Sequence, residues 1–190
     1  MSMNIRTLTE VTIVAALAMV LSLIPTDIGW YQVSLGTLPV AVLAVRRGTV
    51  AGLTSGFLWG LLHVLFKVYI LSPIQFVIEY VFAFLVVGLA GLFAGVIHHY
   101  LSQNDRKNAA IYFVIAGIVA SFAKYFFHFV AGYYFWGSYA PDGMSPFLYS
   151  LSVNGISFIM TAIYVSFVAA LLVLGYPKLF IAKTHHQWHE

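Results

Sequence analysis

Lys124 and His128 stand four residues apart in an otherwise apolar run, Lys124-Tyr-Phe-Phe-His128-Phe-Val-Ala-Gly132-Tyr-Tyr-Phe-Trp136. Four residues is about one helical turn, so the two side chains share a face. An ammonium and an imidazole are costly in hydrocarbon, and such an intramembrane pair marks a functional site. The rings that follow, up to Trp136, suit either a small polar molecule held between aromatic faces or the aromatic belt of a membrane interface. The matching anion is Glu79, also set among apolar residues. A lone carboxylate there costs several kcal/mol and must have a partner. Two partners fit: Lys124 itself, or the amino and ring-nitrogen groups of a ligand. Asn154 offers donors and an acceptor to a heterocycle edge. A carboxylate inside an aromatic cage suits a flat cation through charge and cation–π contact.

Those residues need a membrane-spanning frame. The chain has 190 residues, 62% hydrophobic and only 8% charged, against about 25% charged in soluble domains. This composition predicts an all-α integral membrane protein of one domain, residues 1–190. No alternating ten-residue strands suggest a barrel. Cysteine is absent and the formal charge is only +3, which excludes thiolate chemistry and gives no sign of a nucleic-acid partner.

Six helices are expected. The first covers Thr9 to Ile24, ends at Pro25 and has no clean cleavage site after it, which argues against a signal peptide. Its Thr12–Ala16 face, with Ala15 and Ala18 beside it, carries small residues that permit close helix contact, within the bundle or with a partner. Thr26 to Gly36 is a loop with Asp27 and Trp30. The second helix, Val33 to Val45, holds Pro39 and is too short to span regularly, so an irregular or partly spanning helix is expected. Thr49 to Phe66 is the third helix, with Trp59 and His63 one turn apart. The fourth opens at Pro73, carries Gln75, Glu79 and Tyr80, and runs to about Ile97. His98 to Asn108 is a polar connection. Ala109 to about Tyr134 is the fifth helix, and the loop Phe135 to Ser145 follows. The sixth opens at Pro146, carries Tyr149 and Asn154, and runs to about Leu174. The tail, about 175–190, is polar and holds His185, His186 and His189, read as solvated rather than metal-binding.

With six crossings both termini share a side. Arg6, Arg46, Arg47, Arg106, Lys107, Lys178 and Lys183 fall there, against Lys67 with Asp27 and Asp142 opposite. That asymmetry puts both termini in the cytoplasm. At 1.5 Å per residue, Glu79 and His128 lie about 9 Å, Trp59 about 10 Å, Asn154 about 12 Å and Lys124 about 15 Å below the outer surface. The intramembrane charges therefore gather in the outer half, with nothing comparable in the inner half: a site open to the outside.

No phosphate-binding loop, Ser/His/Asp constellation or His-Glu-x-x-His motif occurs, so neither ATP hydrolysis nor catalysis is expected of the chain. Other readings of the same residues are an autonomous drug or cation/proton antiporter coupled through Glu79, and an intramembrane enzyme using His128 and Glu79. Paired half-helix repeats of a secondary transporter are missing.

Several motifs together resemble one family: Gly29-Trp30, Arg46-Arg47-Gly48, Trp59-Gly60, Tyr69-Ile-Leu, Glu79-Tyr80, Lys124-Tyr-Phe-Phe-His128-Phe, Phe135-Trp136, Tyr149-Ser and Val153-Asn154-Gly-Ile-Ser157. From about Arg6 to Phe180 the chain resembles the thiamine-specific substrate-binding (S) component of energy-coupling factor (ECF) vitamin transporters. The likeness fades around Ser102 to Ile111. It implies a six-helix S-component fold in the bacterial plasma membrane and capture of thiamine from outside, with no cofactor and no catalytic or metal residues. An S component for another heterocyclic vitamin is the variant reading. The resemblance implies pocket residues at Trp30, Trp59, Tyr69, Glu79, Tyr80, Lys124, His128, Trp136, Tyr149 and Asn154, with the Trp30 loop as gate. It implies a transmembrane coupling subunit and two ATPase subunits as partners, and toppling in the bilayer to release ligand inside. The family's first helix typically offers Ala-x-x-x-Ala to the coupling subunit; here those positions are Thr12 and Ala16.

Overall fold

The computed structural model describes residues 3–66 and 69–182. Lys67, Lys183, His185, His186 and His189 lie outside the described residues. Six helices are present among them: α1 (Ile5–Ser22), α2 (Thr37–Arg47), α3 (Thr49–Phe66), α4 (Pro73–Ser102), α5 (Arg106–Phe135) and α6 (Pro146–Gly175). All but α2 are long and apolar enough to cross a membrane. At 11 residues α2 is about 16 Å long, against roughly 30 Å of hydrocarbon.

Short as it is, α2 is regular rather than irregular. Pro39 falls in its first turn, where a backbone N–H has no intrahelical partner to lose. The helix compensates by burial: Val40, Ala41, Ala44 and Val45 are fully enclosed. It sits at the centre, against α1, α3 and α4. Small residues make that packing tight. A Cβ placed on Gly52 would sit 2.9 Å from Gly88 Cα, so α3 and α4 meet backbone to backbone there.

Thr26–Gly36, expected as a loop, contains a two-stranded antiparallel hairpin, β1 (Asp27–Ile28) with β2 (Tyr31–Gln32). Gly29 takes φ +63° at its turn, a conformation that costs glycine little. The hairpin is fastened to the bundle by side chains. Ser157 Oγ accepts from Gln32 N at 3.1 Å, Thr161 Oγ1 accepts from Ser34 N at 3.0 Å, and the Tyr125 hydroxyl donates to Gln32 O at 3.0 Å.

Helix α4 changes winding along its length. Val77–Phe82 is a π segment and Val86–Phe93 a 3₁₀ segment. It runs on to Ser102, and α5 starts at Arg106, so the polar 98–108 stretch is mostly helical, with only Gln103, Asn104 and Asp105 between the helices. Asp105 caps α5 by accepting from Asn108 N at 3.1 Å. The tail also departs from expectation: Pro177–Phe180 forms a 3₁₀ turn and Phe180 is buried against Phe113, 5.0 Å between ring centroids.

One acidic residue to which the depth reading gives no place sits at the opposite, inner end of the bundle. Glu10, five residues into α1, is gripped by Arg46 and Arg47 of α2. Arg46 Nε reaches Oε2 at 3.0 Å and Arg47 Nη2 reaches Oε1 at 2.6 Å. Arg46 Nη1 also donates to the carbonyls of Leu179 and Ile181, at 2.9 and 2.8 Å. This inner clamp ties α1, α2 and the C-terminal turn together.

Candidate ligand-binding site

A cavity of about 290 Å³ opens at the outer end of the bundle, beneath the hairpin. Seven of the ten sequence-indicated residues line it: Trp30, Trp59, Glu79, Tyr80, Lys124, His128 and Asn154. The other three flank it. Tyr149 meets Trp30 edge-on at 5.6 Å, and Tyr69 and Trp136 lie 5.3 Å apart.

Glu79 sits in the π segment of α4. Single π turns recur at functional sites, and this one carries Glu79 and Tyr80 together. Oε2 accepts from the Gln75 amide and from Trp136 Nε1, the latter at 3.1 Å. Oε1 stands 3.8 Å from His128 Nδ1, too far for a hydrogen bond and near enough for charge to be felt. The His128 ring continues the line, its Nε2 accepting from Lys124 Nζ at 2.9 Å. A direct Glu79–Lys124 ion pair is therefore not the arrangement; His128 intervenes. A neutral imidazole suits this place, with Nδ1–H toward the carboxylate and Nε2 as acceptor.

Lys124 is only 5% exposed. Rings surround its ammonium: Phe84 at 4.5 Å, Tyr125 at 5.0 Å and Trp59 at 5.7 Å. Such contacts offset part of the cost of burying a cation. Trp59 is held by its Nε1 donating to Ser22 Oγ at 3.0 Å and by edge contact with Phe84 at 4.6 Å. Tyr80 carries the loop above it, its hydroxyl accepting from Tyr69 N at 3.1 Å.

Asn154 is held by the preceding turn of its own helix. Its Nδ2 donates to the Ser150 carbonyl at 3.0 Å and to Ser150 Oγ at 3.2 Å. Its amide nitrogen is thus turned to Ser150 within the protein.

Gln75, fully buried, was named on the fourth helix without a role. Besides Glu79 it binds the Tyr69 carbonyl at 3.2 Å and the Leu71 amide at 3.2 Å. Its position one turn before Glu79 is the signal that places the two on one face. His63, Tyr125, Ser157 and the hairpin residues Gln32 and Ser34 also line the cavity. His63 shares a face with Trp59 one turn before it, whereas no periodicity announces the others, which long-range packing brings there. The whole is a small chamber with one carboxylate, an imidazole, a ring-wrapped ammonium and several indole and phenol faces.

A family model described as Thiamine transporter protein (Thia_YuaJ) matches residues 8–181. This chain belongs to the thiamine transporter protein family. The Thiamine transporter ThiT of Lacticaseibacillus paracasei is 39% identical over 180 residues, 92% of this chain and 90% of that one. The Thiamine transporter ThiT of Bacillus subtilis is 28% identical over 180 residues, 90% of this chain and 92% of its own. The solved structure of ThiT from Listeria monocytogenes superposes with a TM-score of 0.90 at 42% identity, covering 94% of this chain and 100% of that one. The chain therefore has the S-component fold of a multi-pass bacterial plasma membrane protein, and its family is one of transporters rather than enzymes.

Proposed function

We propose that the chain is the thiamine-binding S component of an ECF-type transporter, taking thiamine from outside into the cavity beneath the hairpin. Thiamine joins a thiazolium cation to an aminopyrimidine, two flat rings with opposite demands. The observation that carries the reading is the fixed Glu79 carboxylate facing a ring-walled chamber: it accepts hydrogen bonds from the amino side of the pyrimidine, while Trp30, Trp136 and Tyr149 offer faces to the cation. Lys124 and His128 set the depth of the chamber, and Tyr69, Trp59 and Tyr80 close its walls. Asn154 contributes an acceptor. A volume of about 290 Å³, near the lower end of the roughly 300–1,000 Å³ of ligand pockets, suits a vitamin rather than a peptide.

Binding supplies no energy for accumulation. The chain has no nucleotide-binding motif, so uptake needs a transmembrane coupling subunit and two ATPase subunits. The Thr12–Ala16 face is the proposed contact for the coupling subunit. Both residues are exposed, whereas Ala15 and Ala18 are buried in the bundle. The Thr12 hydroxyl is taken up within α1, donating to the Leu8 carbonyl at 3.0 Å.

The test is direct. The chain purified in detergent should carry thiamine detectable by mass spectrometry, and the stripped protein should rebind it one to one. A protein that carries no thiamine and shows no heat of binding with it excludes the reading. Thiamine accumulation by this chain alone, without partners or ATP, would favour the antiporter instead.

A further inference from the structure

A second hollow, about 1000 Å³, runs down the side of the bundle between α1, α2 and α6. Its walls are apolar, formed chiefly by Ile13, Leu17, Val42 and Leu172. Along α1 it extends from Glu10 to Leu21, eleven residues or about 16 Å. That is close to one leaflet's share of a roughly 30 Å hydrocarbon core. Its cytoplasmic end is cationic. Arg46, Arg106 and Lys178 line it, with Glu10 the one carboxylate. Glu10 is already neutralised by Arg46 and Arg47. Arg106 donates to the Leu174 carbonyl at 3.1 Å. Among the described residues neither Arg106 nor Lys178 has an ion-pair partner.

We propose that this trough is a binding site for an anionic glycerophospholipid of the cytoplasmic leaflet, its phosphate between Arg106 and Lys178 and an acyl chain along Ile13, Leu17, Val42 and Leu172. An occupant must be apolar for the length of one leaflet and negative at the inner interface, and such a lipid is both. Basic pockets between helices on the cytoplasmic side recognise anionic headgroups in this way. A partner helix fits the trough less well. Its rim carries the branched side chains Ile13 and Leu17, 60% and 46% exposed, and tight helix contact in lipid wants small residues. The Thr12–Ala16 face is centred one residue step, about 100°, around α1 from the trough's rim. The site is independent of what fills the outer cavity.

The full chain in neutral detergent would be titrated with phosphatidylglycerol and with phosphatidylcholine of equal chain length, reading bound lipid by native mass spectrometry. Phosphatidylglycerol should bind and phosphatidylcholine should bind more weakly. Arg106→Gln with Lys178→Gln should lower phosphatidylglycerol affinity about 30-fold, since each cation near an anionic headgroup contributes and two are removed. Lys178→Gln alone, at an exposed position, should lower it about fivefold. Leu17→Trp, which fills the trough, should exclude both lipids while thiamine binding persists. Equal affinity for the two lipids, or unchanged affinity in Lys178→Gln, overturns the proposal. So does a Leu17→Trp protein that keeps its lipid but no longer associates with the coupling subunit, which would make the occupant a protein.

Discussion

Replacing Glu79 by glutamine preserves the side chain's shape and removes its charge. In the wild type, Oε2 accepts from Gln75 Nε2 and from Trp136 Nε1 at 3.1 Å, while Oε1 faces His128 Nδ1 at 3.8 Å. Three donor groups converge on two oxygens. Glutamine has one oxygen and one amide nitrogen, so in either orientation an N–H is turned toward a donor. Turned one way it breaks the Gln75 and Trp136 bonds, and turned the other it faces His128. The interaction at stake with thiamine is a charge-assisted hydrogen bond, about 1.5–3 kcal/mol, or roughly 10- to 150-fold in Kd. Calorimetric titration of wild type and Glu79→Gln in the same detergent measures it, with Tm as the check on folding. A variant that melts with the wild type and binds thiamine equally well refutes the reasoning. Glu79 would then be an anchor for Trp136 and His128 and not a ligand group.

The same geometry yields four further expectations. Gln75→Met, which keeps the length and removes the amide, should weaken thiamine binding about 2- to 13-fold by loosening Glu79 and the 69–72 turn; an unchanged Kd would deny Gln75 a positioning role. Ligand-induced quenching of tryptophan fluorescence should be lost mainly in Trp136→Ala, and a full quench without that ring would assign it to the interfacial belt. Ala16→Trp should leave thiamine binding intact and abolish ATP-dependent uptake in vesicles holding the complete transporter; normal uptake would exclude that face as the docking surface. At Asp105 the amide of Asn108 holds the carboxyl below its ordinary value of 3.8. Its contribution is therefore complete above that value and is lost as pH falls through the depressed one. The Tm difference between wild type and Asp105→Ala should be flat near neutrality and shrink below about pH 4; a difference undiminished in strong acid would contradict this capping role.

Much of the frame was legible because hydrocarbon imposes simple rules. Apolar length marked the five long helices, and the arginines marked the inner surface. The ten residues named for the pocket came from motifs, and the structure brings seven to the cavity wall and three to its rim. Other features were not legible, for definite reasons. Pro39 suggested an irregular α2, but sequence alone does not say whether a proline falls in a first turn, where it is harmless. Glu10 escaped notice because its partners are 36 and 37 residues away on another helix. The π winding around Glu79 leaves no period of its own in six residues. The insertion of His128 between Glu79 and Lys124, and the commitment of Asn154 to Ser150, are choices among rotamers that tertiary packing makes. Gln75 and His63 had readable local signals, their spacing from Glu79 and from Trp59.

The hairpin over the cavity is held to the bundle by three side-chain hydroxyls, those of Ser157, Thr161 and Tyr125. Bonds of this kind are each worth about 0.5–1.5 kcal/mol net. Together they favour the fastened strap by roughly ten- to two-thousandfold. Local opening of that size is rapid and frequent beside global unfolding. A molecule that leaves past the hairpin exchanges with the medium no faster than the strap lifts. Along that route residence time is separable from contact strength, adjustable at the Thr161 hydroxyl of α6 without altering the carboxylate or the rings. Thr161→Val would shorten the dwell of a bound molecule through a residue outside the cavity wall.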